Sequence, residues 1–190
     1  RLGALDILVN NAGMVGFGGF AAQSPDQIDT LVRTNLTGPL LLTRAALPGM
    51  LARGRGQIVN VGSTFGAIAF AHFAAYSATK FALRGFSEAL RRELEDTGVG
   101  VTYVSPRATR TAANPDAVYR LTEQAGNAVD TPEAIAPLIA DAIERGRRAL
   151  QIGAPESLFT RLNALFPRLV DAALRKQNRA AREVLSGAAR

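Results

Sequence analysis

The sequence predicts an α/β fold: a doubly wound parallel sheet with helices packed on both faces. Four short segments are apolar and rich in β-branched residues, without strict alternation of polar positions: residues 5–9, 57–61, 99–104 and 149–152. Segments of this kind are typical of parallel strands covered on both faces. Helical patterns separate the four segments, and the alternation of strands with helices indicates successive βαβ units.

Two of the helices have clear starts in the sequence. Ser24, Pro25 and Gln27 are spaced as a capping box, with the serine as N-cap and the proline at the first helical position. Thr131 followed by Pro132 predicts a second helix start of the same kind.

Composition favours one soluble globular domain. The 190 residues are 47% hydrophobic and 20% charged, which is ordinary for such proteins. No stretch approaches the roughly 20 apolar residues that a membrane-spanning helix requires. The chain has no Cys and one His, which excludes disulfides, thiolate chemistry and His-rich metal sites. A reducing, cytoplasmic location is expected.

The charge divides the chain unevenly. Residues 161–190 contain seven Lys and Arg against two acidic residues, and so account for +5 of the net charge of +6. We therefore separate a catalytic part, residues 1–153, from a basic amphipathic helical extension, residues 154–190, in which Pro167 is expected to break the helix. Such an extension packs on a neighbouring subunit or on its own chain, covers the active site, makes peripheral contact with an anionic membrane, or does none of these. No motif indicates nucleic-acid binding.

A tyrosine and a lysine lie four residues apart, at Tyr76 and Lys80. On a helix this spacing places the two side chains on one face. A tyrosine phenol has a pKa of about 10 and transfers protons poorly at neutral pH, whereas a neighbouring cation stabilises the phenolate. The pair therefore predicts an acid–base centre, although this spacing also arises by chance on helix surfaces.

Polar residues at the ends of two predicted strands support this interpretation. Ser63 follows the second strand, and Asn10 and Asn11 follow the first. In open α/β sheets, ligands bind at the carboxyl ends of the strands. Asn35 lies inside a predicted helix, where asparagine has low propensity.

In these motifs the chain resembles the short-chain dehydrogenases/reductases over about residues 4–153. Four segments match in order and spacing: Asn-Asn-Ala-Gly at 10–13, the helix asparagine Asn35, the active-site serine Ser63, and Tyr-x-x-x-Lys at 76–80. The resemblance implies a Rossmann-type sheet. It also implies NAD(P)-dependent interconversion of an alcohol and a ketone or aldehyde, with NAD or NADP as cofactor. Members of this family often pair subunits through the tyrosine-bearing helix, so a homo-oligomer is expected.

The resemblance assigns catalytic roles to four residues. Tyr76 is the general acid in reduction and the base in oxidation. Lys80 lowers the pKa of that phenol and binds the nicotinamide ribose. Ser63 binds the substrate oxygen. Asn35 holds a water molecule in a proton relay behind Lys80.

The cofactor set implied by the resemblance is larger and contains one departure. It comprises Asn11, Ala12, Gly13, Tyr76, Lys80, Pro106, Thr109 and Thr111. Where the family usually has glycine after the proline, this chain has Arg107. This arginine indicates either a shifted loop or a contact to a cofactor phosphate. For Arg110, solvent exposure or a cofactor phosphate is favoured over an acidic substrate.

The glycine-rich phosphate loop of the family, TGxxxGxG, is missing from the sequence, as are the first three strands. Since a βαβ unit takes about 30 residues, we expect the chain to lack roughly 70–80 residues of a longer protein. Its first strand becomes an apolar sheet edge. We further expect the chain alone to bind nicotinamide cofactor poorly. The alternative to an enzyme is a non-catalytic fragment that only folds or associates.

Four residues before the tyrosine lies the one histidine, His72, which we interpret as a pocket-wall or surface residue because Tyr76 already supplies the proton chemistry. Nearby Phe65, Phe70 and Phe73 are expected to line an apolar substrate site, with simple core packing as the alternative.

Overall fold

A computed structural model describes residues 3–111, 114–124 and 126–187. The strands are β1 (Ile7–Asn10), β2 (Gly56–Val61), β3 (Val99–Ser105) and β4 (Ala149–Gln151). The α-helices are α1 (Pro25–Val32), α2 (Gly38–Arg53), α3 (Ala74–Glu93), α4 (Asp116–Gln124), α5 (Pro132–Glu144), α6 (Ala154–Leu165) and α7 (Pro167–Gly187). A π-helical turn, Arg33–Thr37, joins α1 to α2, and short 3₁₀ turns lie at Phe20–Ala22 and Thr64–Gly66.

The four strands form one parallel sheet in the order β1-β2-β3-β4. Each lies within two residues of its predicted position. Helices cover both faces of this sheet. On one face, α2 and α3 pack on Ile58 and Val101, and on the other, Ile135 of α5 packs on Val59 and Val104. The predicted doubly wound α/β class is therefore confirmed.

Strand β1 differs from the expectation that every strand is covered on both faces. It lies at the edge of the sheet, as expected of a chain that lacks the first three strands of the family. Leu8 and Asn10 face the helices, whereas Ile7 and Val9 point to the opposite face and are each 45% exposed. The prediction of two-sided burial holds for β2 and β3 and is wrong for β1, because no described helix packs on that part of the second face.

The helix starts predicted from the sequence are confirmed. The side chain of Ser24 accepts a hydrogen bond from the backbone N–H of Gln27, and the Gln27 side chain accepts one from the backbone of Ser24. The side chain of Thr131 accepts from the N–H of Ala134. Pro167 separates α6 from α7, as expected of a residue that cannot continue a helix.

The basic extension packs on the body of its own chain. Helix α7 buries Val170, Leu174, Ala181 and Val184 against α4 and against the segment that follows β2. Its arginines remain exposed on the outer side. Within the part of the chain that the structure describes, no helix is long and apolar enough to cross a membrane.

A close approach of backbone to side chain fixes the end of β2. A Cβ atom on Gly62 would overlap the phenol of buried Tyr103, whose hydroxyl lies 3.5 Å from the carbonyl oxygen of Ser63. Only glycine at position 62 leaves room for the ring of Tyr103.

We predict that Gly62→Ala lowers the free energy of unfolding by about 2–4 kcal/mol, because buried Tyr103 cannot move aside without strain. Gly85→Ala is the matched control. A Cβ there meets nothing within 4 Å, and alanine in a helix is neutral or stabilising by up to about 1 kcal/mol. Urea unfolding measures both variants, and equal stability of the two would contradict this packing.

Candidate active site

The side chain of Asn35 joins three segments beneath the candidate site. It lies in the π-helical turn between α1 and α2 and is 1% exposed. Its Oδ1 accepts from the backbone N–H of Met14 at 2.8 Å, and its Nδ2 donates to the Met14 carbonyl at 2.8 Å and to Thr79 Oγ1 at 3.2 Å. The amide thereby fastens the loop after β1 to α3. Its expected role in holding a water molecule stays a prediction.

The structure brings Ser63, Tyr76 and Lys80 into one cavity at the carboxyl end of β2. Ser63 follows β2 directly and caps the 3₁₀ turn, with its Oγ accepting from the N–H of Phe65 at 3.2 Å. Tyr76 and Lys80 lie in the first two turns of α3. Lys80 Nζ is 5.8 Å from the centroid of the Tyr76 ring. All three are buried.

The pKa of the Tyr76 phenol is raised overall in this structure, and the lowering expected from Lys80 stays a prediction. Burial raises the pKa of the Tyr76 phenol, and the Ser63 side chain opposes this only in part as a hydrogen-bond partner. The ammonium lies near the ring rather than in contact with the hydroxyl, so desolvation of a phenolate is the larger effect. The phenol is therefore held in its protonated, proton-donating form.

Lys80 carries a buried positive charge. It is 5% exposed, and its ammonium donates to the carbonyl oxygen of Val61 at 3.2 Å. Burial lowers its pKa from an ordinary 10.5 to about 8. At neutral pH the group is still charged, and its further N–H groups are available to a ligand in the cavity.

The cavity has a volume of about 500 Å³ and a largely aromatic and aliphatic wall. The ring of Phe65 lies 4.6 Å from Phe70, 4.9 Å from Phe73 and 5.4 Å from Tyr76, centroid to centroid. Phe159 of α6 and Leu174 of α7 complete the wall. Phe65, Phe70 and Phe73 all line the cavity, and Phe73 also belongs to a core cluster, while their expected place in a substrate site stays a prediction.

Most of the residues predicted to contact the cofactor also line this cavity. Asn11, Gly13, Pro106, Thr109 and Thr111 line the same cavity as Tyr76 and Lys80. Ala12 is exposed and is not among the lining residues. The hydroxyl of Tyr119 holds Thr111, since it donates to the Thr111 carbonyl and accepts from the Thr111 N–H, both at 2.7 Å.

Arg107, where the family usually has glycine, lines the cavity and forms an ion pair, while the expected shifted loop or contact to a cofactor phosphate stays a prediction. Its guanidinium donates two hydrogen bonds of 2.7 Å to the carboxylate of Asp130 and lies 3.7 Å from Glu156. Backbone hydrogen bonds from Asp130 to Ala108 and from Arg110 to Asp130 bind the loop further. The Arg107 side chain lowers the pKa of the Asp130 carboxyl, through hydrogen bonds first and charge second.

Sequence reasoning missed both acidic partners. Nothing in the sequence distinguishes Asp130 and Glu156 from the other acidic residues as partners of Arg107. Arg110 is exposed and stacks on Tyr119 at 5.0 Å, which agrees with a solvent position. His72 is half-buried beside Phe17 and is not among the cavity-lining residues.

Comparison with known proteins agrees with this geometry. The family model for short chain dehydrogenases matches residues 1–120. The chain therefore belongs to the short-chain dehydrogenase family, as the four motifs predicted.

Named relatives are oxidoreductases. The uncharacterized oxidoreductase YxnA of Bacillus subtilis is 36% identical over 180 residues, which are 92% of this chain and 51% of that protein. The NADP-dependent 3-hydroxy acid dehydrogenase YdfG of Salmonella typhi is 44% identical over 103 residues, which are 54% of this chain and 42% of that protein. The chain thus spans about half the length of the curated relatives it matches.

Solved structures share the fold. A short-chain dehydrogenase from Streptomyces avermitilis superposes with a TM-score of 0.74 at 33% identity, covering 96% of this chain and 71% of that one. A gluconate 5-dehydrogenase from Burkholderia cenocepacia, solved with NADP and tartrate, gives a TM-score of 0.60 at 35% identity and covers 62% of this chain and 46% of that one. These matches agree with the Rossmann-type sheet predicted from the motifs.

We predict that Lys80→Met stabilises the fold by about 1–3 kcal/mol near pH 7, because it removes a buried charge. The folded pKa of about 8 lies below the ordinary 10.5. The unfolded state therefore holds the proton more tightly, and the wild type gains stability as pH rises through this interval. The advantage of the variant should shrink in the same interval. Exposed Lys176→Met is the control, and a gain independent of pH would contradict the assignment.

We also predict that Arg107→Ala lowers the free energy of unfolding by about 1–3 kcal/mol, since it leaves two half-buried carboxylates without their cation. The folded Asp130 pKa is depressed, so the stability from this pair is present above the ordinary aspartate pKa and lost as pH falls through the lower folded value. The free energy of unfolding of Arg107→Ala should therefore not show this loss at acidic pH.

The control for Arg107 is Arg33→Ala, which breaks an exposed ion pair with Asp29. Exposed pairs contribute at most about 1 kcal/mol. Chemical unfolding across the acidic range separates the two variants, and indistinguishable stability curves would show that burial of the Arg107 pair has no energetic effect.

Proposed function

We propose that this chain forms the catalytic part of an NAD(P)-dependent oxidoreductase that interconverts an alcohol and a ketone or aldehyde. The convergence of Ser63, Tyr76 and Lys80 in one cavity at the carboxyl edge of the sheet is the observation on which the proposal depends. Membership of the short-chain dehydrogenase family supports it, as do relatives named for NADP-dependent activity.

The cavity fits the nicotinamide end of such a cofactor. A Cβ on Gly13 would lie 3.5 Å from Asn35 Oδ1 and 3.6 Å from Lys80 Nζ, so glycine keeps the space beside the ammonium open. Lys80 and the hydroxyl of Tyr76 would hold the ribose hydroxyls, while Pro106 and Thr111 would border the rest of this end and Asn11 would line the adenosine side of the cofactor. When bound, the nicotinamide supplies or accepts the hydride.

Tyr76 and Ser63 would act on the substrate oxygen. The Ser63 hydroxyl donates a hydrogen bond to the carbonyl and stabilises the negative charge that develops there. In reduction, the Tyr76 phenol gives its proton to this oxygen and forms the alcohol; in oxidation it takes the proton back. Because burial raises the Tyr76 pKa, the resting phenol is already in the form that reduction requires.

Lys80 would limit the cost of the phenolate that reduction leaves behind. Its buried charge, 5.8 Å from the ring centroid, stabilises a phenolate more than a neutral phenol. Above about pH 8 this charge is lost, so ribose binding and proton transfer should both weaken at alkaline pH.

Three further proposals concern the setting of the protein. A cytoplasmic location agrees with the absence of cysteine.

Self-association through α3 is supported by Phe81, which is exposed on that helix, and size-exclusion chromatography tests it. Peripheral membrane contact through α7 is supported by its exposed basic residues, and co-sedimentation with anionic vesicles tests it.

We predict that the 190-residue chain binds NADH and NADPH weakly by itself, because the TGxxxGxG segment that cradles the pyrophosphate in this family is not in its sequence. Fluorescence titration of the purified chain measures this. Micromolar affinity for either cofactor would contradict the prediction.

In any preparation that turns over a carbonyl compound with NADPH or NADH, we predict that Tyr76→Phe lowers kcat by at least about 10²–10⁴-fold, the usual contribution of a positioned general acid. The substitution removes one oxygen from a buried ring and should leave the fold intact. Tyr103→Phe, which removes the same oxygen from a buried ring that does not line the cavity, is the control and should keep most of the activity. Retention of more than about a tenth of the wild-type rate by Tyr76→Phe would overturn the acid–base assignment.

A further inference from the structure

Helix α7 presents one of its faces to the cavity. Ala173, Lys176, Gln177 and Ala180 all line the cavity, and their spacing of three or four residues places them on one side of the helix. The neighbouring stripe, which includes Leu174 and Ala181, is buried in the core and fixes the rotation of the helix. The cavity-facing side is thus set by packing.

The charged side chains that line the cavity are not equivalent. Lys80 belongs to the acid–base centre. Arg107 and Glu156 are occupied by the ion-pair cluster with Asp130. Lys176 is the lining cation outside these two groups, and within the described ranges no carboxylate lies within 4.0 Å of its ammonium.

Apolar side chains form the wall next to α7. Ile68, Phe70 and Leu174 belong to one cluster with Phe159, and all four line the cavity. A polar group of a ligand would lose hydrogen bonds to water against this wall without replacing them. The body of a bound molecule should therefore be apolar.

We infer that the substrate is a carbonyl compound or alcohol with an apolar body, such as an aromatic ring, and a carboxylate at its far end that Lys176 binds. This inference rests on the proposed function, since Ser63 and Tyr76 define the reacting end. Lys176 is then a specificity-determining residue of α7.

A carboxylate suits this position better than a phosphate ester. One ammonium supplies a single positive charge, and the half-buried Gln177 amide beside it adds a neutral donor. Phosphate recognition usually draws on several charged donors or on backbone N–H groups at a helix N-terminus. Ala173 and Ala180 are small and leave space around the lysine stem.

The experiment measures binding directly and needs no turnover. Two rigid keto acids, 4-acetylbenzoate and 6-acetyl-2-naphthoate, are titrated into the full chain by calorimetry without any nicotinamide cofactor. Their methyl esters keep the ketone and the ring but lack the charge, and 4-acetylphenyl phosphate tests the alternative anion. We expect each acid to bind about fivefold more tightly than its ester, the upper range for a solvent-exposed ion pair.

Lys176→Met should remove this difference between acid and ester by weakening the acid about fivefold, and Lys176→Arg should restore most of it. Arg175→Met is the matched control: it lies next to Lys176 on the same helix, is equally exposed, and does not line the cavity. It should leave acid binding unchanged. Circular dichroism checks that the variants keep their helical content.

Equal binding of acid and ester would overturn the inference, as would failure of both to bind, tighter binding of the phosphate, or an equal effect of Lys176→Met and Arg175→Met. The proposed function fails separately. If Tyr76→Phe keeps its turnover while Lys176→Met abolishes the preference for acids, the carboxylate site stands and the acid–base assignment falls. If Tyr76→Phe loses its turnover while Lys176→Met leaves the preference for acids unchanged, the carboxylate site falls and the acid–base assignment stands.

Discussion

The hydrogen bonds of a single buried amide hold the candidate site together. Asn35 exchanges two 2.8 Å bonds with the backbone of Met14 and donates a third to Thr79. The loop after β1 is thereby fixed to the helix that carries Tyr76 and Lys80. Leaving this buried amide without hydrogen bonds would cost more free energy than a typical surface interaction contributes. The three segments are therefore held in this arrangement. The same amide borders the open space beside Gly13, since a Cβ there would lie 3.5 Å from Asn35 Oδ1.

Around this tie the site balances two opposing demands. Burial excludes water from the reacting groups, and it also penalises every charge that the chemistry needs. The raised pKa of Tyr76 and the Lys80 pKa of about 8 both follow from that penalty. Arg107 and Asp130 resolve the same conflict differently, since each neutralises the other at 2.7 Å. Tyr76 and Lys80 keep hydrogen-bonding groups that a ligand in the cavity can use, whereas Arg107 and Asp130 bind each other.

Much of the fold and of the site could be predicted from the sequence. The strands, the capping of α1 and the break at Pro167 are local features that short patterns determine. Ser63, Tyr76 and Lys80 were predictable because each lies at a fixed offset within one strand or helix. The partners of Arg107 were not, since Asp130 lies 23 residues away and is chosen by tertiary packing. The raised pKa of Tyr76 was also not predicted, because a motif records the neighbouring cation but not the depth of burial.

The π-helical turn at Arg33–Thr37 also sets the rotational phase of the chain beyond it. A wide turn takes up about one residue more than an α-helical turn, which offsets everything downstream by about 100° around the helix axis. The apolar stripe of α1 therefore does not run straight on into α2, and Leu41 and Leu42 emerge on the outer surface while Met50 is fully enclosed. Deleting one residue here would remove the wide turn that carries Asn35, whereas the phase of α2 would stay the same because the turn absorbs that residue. Length, as well as residue identity, is thus constrained at this junction.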